Sequence, residues 1–93
     1  MTYSIHHHPL VIREDIPKLS SENKRRIRRV IQRKLCTFPE LYGKSLKKAL
    51  QGARVVRVGG YRIVYRIRGH NVEIAASVHR SSDYRDVKRR LSP

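Results

Sequence analysis

Apolar positions along the chain fall into two rhythms. From residue 18 to 35, "KLSSENKRRIRRVIQRKL" places Ile27, Val30, Ile31 and Leu35 at i, i+3, i+4 and i+8, the spacing of one buried stripe on a helix. Ser20 or Ser21 can accept a backbone N–H at its start, and Glu22 suits the positive end of the helix dipole. From residue 54 onward the period becomes two. The runs 54–58, 61–67 and 72–78 alternate and are rich in β-branched and aromatic residues, as half-buried strands are. "GG" and "RGHN" separate them and predict two tight connections. Ahead of the helix, residues 2–8, "TYSIHHH", alternate with Tyr3 and Ile5 on one side and predict a short first strand. "PLVIREDI" opens on Pro9, which suits a first helical position, and stops at Pro17, so a helix of about two turns is expected there. "CTFPELYGKSLKKALQGA", broken by Pro39, Gly43 and Gly52, reads as a loose crossing from helix to sheet. Tyr84, Val87 and Leu91, at i, i+3 and i+7, predict a short terminal helix. The expected fold is α+β: one small domain over residues 1–93, in the order β-α-α-β-β-β. Two helices pack on one face of an antiparallel sheet, and a short C-terminal helix follows.

Turn geometry extends this to a register. With Gly59-Gly60 as a two-residue turn, Val58 faces Tyr61, Arg57 faces Arg62 and Val56 faces Ile63. With Gly69-His70 as the next, Ile67 faces Val72, Tyr65 faces Ile74, Ile63 faces Ala76 and Tyr61 faces Val78. Every one of these apolar residues then shares the face under the helices, since a slip of one would turn them all outward. The opposite face is left with Arg57, Arg62, Arg66, Glu73, Ser77 and His79. Arg66 and Glu73 make an ordinary cross-strand pair. Arg57 opposite Arg62 puts like charges together, at a cost of some tenths of a kcal/mol up to about 1. Such a pair is either a solvated sheet face or a seat for an anion, with His79 near the same end, Arg80 at the close of that strand and Tyr84 within a turn after it.

Charge tilts that choice. The 93 residues carry 22 Lys plus Arg against 7 Asp plus Glu, a formal net charge of +15. That much like charge repels itself in the folded state and favours polyanionic partners: nucleic acid first, then an acidic protein, then an anionic membrane surface. Only 39% of the residues are hydrophobic and none is tryptophan, so the core is thin. The single cysteine, Cys36, has no internal disulfide partner and reads as a small core residue. No signal-like apolar run opens the chain and no apolar run reaches about 18 residues, so a soluble, cytoplasmic protein with no membrane partner is expected. Of His6, His7 and His8, only His6 and His8 share a strand face, and no second cluster completes a ligand set. Neither a metal nor a cofactor is expected.

"LKKALQGARVVRVGGYRIVYRI" joined to "VHRSSDYRDV" resembles the RelE/ParE toxin superfamily, over nearly the whole length. The resemblance implies a toxin of a toxin–antitoxin pair. RelE-like members enter the ribosomal A site and cut mRNA there without a metal, whereas ParE-like members poison DNA gyrase. In RelE-type members a basic residue before the glycine turn, the Arg of "YR", an Arg after the last strand and a following Tyr surround the scissile phosphate. Arg57, Arg62, Arg80 and Tyr84 match those positions, which favours the nuclease branch. A gyrase poison, or a non-catalytic basic module that binds RNA or the ribosome, is the alternative.

Those residues suit metal-free RNA cleavage. Arginine's fixed fork matches phosphate oxygens, so Arg57 and Arg62 are expected to clamp the phosphate where charge grows. Arg80 would neutralise or protonate the leaving group, and Tyr84 offers a face for a splayed base. Arginine is a poor general base near neutrality. His79 is the natural substitute, with Lys47 or Lys48 as loop alternatives. Lys47, Lys48 and Arg54, with Arg28 and Arg29 on the basic helix, are further candidates for RNA contact. The implied partners are the ribosome, mRNA and a cognate acidic antitoxin.

Overall fold

A computed structural model describes residues 2–46 and 52–91. Its centre is a five-stranded sheet in the order β1-β5-β4-β3-β2. The strands are β1 Ser4–His7, β2 Lys44–Leu46, β3 Ala53–Val58, β4 Tyr61–Arg68 and β5 Asn71–His79, with helices α1 Ser21–Val30 and α2 Tyr84–Leu91. Four strands run antiparallel, but β1 pairs with β5 in parallel, so the sheet is mixed rather than wholly antiparallel. The edge strand β2 was not expected: three residues in a loop-like segment carry too short a pattern to be read as a strand.

The helical elements follow their local chemistry. Ser20 caps α1, its hydroxyl accepting the Asn23 N–H at 3.2 Å. The helix continues through a wider turn, Ile31–Leu35, in which the Cys36 N–H reaches back to the Ile31 carbonyl. The segment before α1 also takes a wide turn, Val11–Asp15. Pro17 does not stop it but sits in a 3₁₀ turn, Ile16–Lys18, early enough that its missing N–H costs nothing.

Two cores lie on the two faces of the sheet. Under α1, Val11, Leu19, Ile27, Ile31 and Leu35 pack on Val56, Val58, Ile63, Tyr65, Val72 and Ile74. Burying each of the aliphatic side chains contributes about 1.5–3 kcal/mol. On the other face, Val87 of α2 packs on Ala53, Val64, Ala75 and Ala76, with Tyr84 and Leu91 at the margin. The terminal helix therefore covers the face that periodicity assigned to charge alone.

The β3–β4 register is the expected one, with Arg57 opposite Arg62 and Val58 opposite Tyr61. The β4–β5 register is expected only in part. Ile67 pairs with Val72 and Tyr65 with Ile74, but a bulge follows, and Val64 pairs with Ala76, Ile63 with Ser77, Arg62 with Val78 and Tyr61 with His79. Two residues thus stand against one on the partner strand, and everything after Ala75 changes face. Ser77 and His79 belong to the α1 side, while Ala76 and Val78 belong to the α2 side, which corrects the expected sidedness of all four. The perfect alternation of Val72, Ile74, Ala76 and Val78 concealed the bulge.

The bulge stands because its ladder groups are satisfied elsewhere. β1 ends at His7, leaving the later edge of β5 open. The Asp15 carboxylate accepts the Ser77 N–H at 2.9 Å, and Arg90 donates to the Ala75 carbonyl at 3.0 Å. Asp15 and Arg90 also face each other in a two-pronged pair at 2.7 and 3.0 Å. Buried backbone groups require such partners.

Candidate functional site

The hairpin turn between β3 and β4 fixes the site. Gly59 has φ of +59°, a left-handed turn conformation that glycine adopts at no steric cost, and the mobile tip of the Arg26 side chain of α1 lies over it. The turn sets Arg57 and Arg62 directly opposite each other on the α2 side. Arg57 is exposed and Arg62 half-buried. Arg62 donates to the Tyr84 hydroxyl at 3.0 Å, and its guanidinium carbon lies 5.7 Å from the centre of the Tyr84 ring. The contact combines a hydrogen bond with a cation–π attraction. Asp83 caps the start of α2, accepting the Arg85 N–H at 2.8 Å. That backbone bond, followed by the Arg85 side chain, lowers the Asp83 carboxyl below its ordinary range.

Arg57, Arg62 and Tyr84 line an open groove of about 540 Å³ with Gly43, Lys44, Val55 and Val56. Lys44 is the residue that sequence reasoning missed. It pairs with Val55 and so projects on the same side as Arg57 and Arg62. Its signal lay in Gly43, whose φ of +77° and lack of room (a Cβ would sit 2.8 Å from the Val55 carbonyl) mark a tight turn into a strand. The buried Tyr65 hydroxyl holds that turn from the α1 side. It donates to the Pro39 carbonyl at 2.8 Å and is also bonded to the Tyr42 carbonyl. Burial pushes its ionisation up to about 12. The groove thus has Lys44, Arg57 and Arg62 on one wall, Tyr84 on the other, and no carboxylate among its described lining residues. A phosphodiester fits that chemistry.

The other expected residues divide. Arg80 follows β5, exposed, its N–H bonded to the Gly60 carbonyl at 2.8 Å. His79 does not face the groove. It lies on the α1 side, its ring edge-on to Tyr61 with centroids 5.4 Å apart, and its Nδ1 engages Ser81. The bulge is the reason, and the expected placement beside Arg57 and Arg62 is corrected. Arg54 pairs with Tyr65 and likewise lies on the α1 side. Arg28 and Arg29 are exposed on α1, across the sheet from the groove. Lys47 and Lys48 lie outside the described residues.

Of the histidine run, His6 is bonded to Asn71, and His8 accepts the Leu10 N–H. His7 is half-buried and its pKa is lowered by that burial. Arg66 faces Glu73 as expected, at 4.0 Å, although Arg68 lies closer at 3.2 Å. Among the described residues no helix is long and apolar enough to cross a membrane.

The sequence profile described as "ParE toxin of type II toxin-antitoxin system, parDE" matches residues 10–84. Among solved structures, the toxin–antitoxin complex RelBE2 from Mycobacterium tuberculosis is similar at 27% identity and a TM-score of 0.78, covering 85% of this chain and 99% of that one. A mutant of the E. coli toxin RelE in the free state shares 16% identity and a TM-score of 0.76, covering 98% of this chain and 95% of that one. The YoeB–YefM complex from Staphylococcus aureus shares 19% identity and a TM-score of 0.62, covering 85% and 98% respectively. The last two likenesses concern the fold. No curated protein matches the sequence.

Proposed function

The chain belongs to the ParE toxin family of type II toxin–antitoxin systems, and from that premise we propose that it is a metal-independent endoribonuclease that cleaves mRNA in the ribosomal A site. The observation that carries this reading is the pairing of Arg57 with Arg62, with Tyr84 held on Arg62 across one groove. Two guanidiniums side by side are unfavourable until an anion joins them. A phosphodiester bridging both turns the repulsion into binding, and binds harder as charge grows on the phosphorane oxygens.

In the proposed reaction the 2′-hydroxyl attacks phosphorus and loses its proton. The bond to the 5′-oxygen breaks, leaving a cyclic phosphate and a 5′-alkoxide that takes a proton to become the 5′-hydroxyl. Guanidiniums stay charged throughout, so Arg57 and Arg62 stabilise, and Arg80 meets the leaving group. Of the side chains lining the groove, Lys44 and Tyr84 are able to exchange a proton. With His79 turned away, Lys44 takes over the candidacy that histidine held. Arg28 and Arg29, on α1, would contact ribosomal RNA, and Lys47, Lys48 and Arg54 remain candidates for RNA contact.

Family membership also supports a partner: an acidic antitoxin whose carboxylates approach Arg57, Arg62 and the basic helix, associating quickly and with strong salt dependence. Two observations favour a second reading, a gyrase poison. The matching profile is that of the ParE toxin, and the histidine expected as base faces away. Mapping transcript ends after induced expression separates the two. Codon-phased cuts that vanish in Arg62→Ala or Arg80→Ala support cleavage, whereas DNA damage with intact transcripts overturns it.

A further inference from the structure

Helix α2 brings Tyr84 to the groove and spans eight described residues, Tyr84–Leu91. Helices of that length do not persist without outside contacts. Its cap, Asp83, is exposed, so its footing lies further along. Val87 packs on the small core in the middle, and Arg90 lies six residues beyond Tyr84, about 9 Å along the axis. The Arg90 side chain is 3% exposed and meets the Asp15 side chain, 4% exposed, through both prongs of its fork. The same guanidinium takes the Ala75 carbonyl and the Asp86 carboxylate, the latter at 3.0 Å. Asp15 belongs to the turn before α1, and its carboxylate also holds the Ser77 N–H. One carboxylate therefore ties the amino-terminal segment, the bulged strand and the far end of α2 together.

We propose that Asp15 is a positioning residue for the groove: through Arg90 it fixes the seat of α2 on the sheet, and so holds the Tyr84 hydroxyl against Arg62. The proposal rests on the RNA-cleavage reading only for what that contact achieves. Val87 is the pivot of a short lever whose one end is clasped and whose other end carries the functional side chain. Replacing the Asp15 carboxylate by a carboxamide removes the one buried counter-charge of Arg90 and its two-pronged acceptor, leaving the exposed Asp86 and Glu14 carboxylates beside the guanidinium. The helix end lifts to let water reach it, and Tyr84 moves in turn.

The test labels the free protein with fluorotyrosine and assigns the Tyr84 resonance through Tyr84→Phe. In Asp15→Asn that resonance is expected to move towards its position in Arg62→Ala. Amides in 84–91 are expected to exchange roughly tenfold faster, with those of β3 and β4 unchanged. RNA cleavage on ribosomes is expected to fall as in Tyr84→Phe, and the double variant to fall no further, as residues acting through one contact do. A folded Asp15→Asn with an unmoved Tyr84 resonance overturns the proposal. So does a further loss in the Tyr84→Phe background, which marks a general structural role. If the resonance moves while neither substitution alters cleavage, the clasp stands and the RNA reading of the groove falls. Should Asp15→Asn fail to fold, Arg90→Lys decides by the same readouts, because it keeps the charge and loses the fork.

Discussion

The two faces of the sheet are built to different ends. The α1 side is a continuous apolar layer with Tyr65, Ile63 and Leu35 wholly buried. The α2 side has a core of alanines and valines no wider than a short helix, flanked by arginines at both ends of β4. Adjacent residues of one strand thus lie in different settings: Ile63 is wholly buried in the main core, and Arg62 lines the open groove. A small domain can carry opposed cations such as Arg57 and Arg62 on one face because stability is concentrated on the other.

Substitutions along β4 sharpen that division. The largest effect is expected from Ile63→Ala, a loss of about 2–5 kcal/mol in denaturant unfolding, with any toxicity lost only in proportion to the folded fraction. Arg62→Ala is expected to do the reverse. Stability stays near wild type, and cleavage of ribosome-bound mRNA falls about 10²–10³-fold, as when one oxyanion donor is removed. If Arg62→Ala unfolds the protein, the division between the faces is wrong.

Tyr65→Phe sits between these. It leaves the Pro39 and Tyr42 carbonyls without the hydroxyl, at a cost of about 1–3 kcal/mol, and loosens the turn that aims Lys44. Because Tyr65 ionises only at about 12 when folded, against about 10 when unfolded, its contribution is complete below pH 10. It is lost as the pH rises through about 12. Alkaline unfolding curves of wild type and Tyr65→Phe should converge across that window. The smallest expected effect is Arg57→Thr, which relieves the opposed charges. Melting should show a gain of a few tenths of a kcal/mol, up to about 1, while RNA affinity falls and its salt dependence weakens. A variant more stable and less active is the signature of a strained functional pair.

Much of this was legible in the sequence where one local rule sufficed. The stripe of Ile27, Ile31 and Leu35 and the opposition of Arg57 and Arg62 each follow from a period or a turn, and the cap was narrowed to Ser20 or Ser21. What was hidden depends on distant parts. The bulge at Ala75 breaks a flawless alternation because Asp15, 62 residues from Ser77, and Arg90, 15 residues beyond Ala75, satisfy the freed ladder groups. His79 was misplaced for that reason alone. Lys44 was missed because its three-residue strand exists only as an addition to the edge of β3.

The bulge has an evolutionary corollary. Without Ala75, Ile74 and Ala76 would be consecutive opposite Tyr65 and Val64, and every side chain from Ala76 to His79 would keep its present face. The sheet would read a one-residue deletion there as a repair rather than an injury. What would vanish are the carbonyl that Arg90 grips and one buried methyl of the smaller core. A chain shortened by that residue is expected to keep the remaining β4–β5 register, provided that Arg90 and its counter-charge change with it.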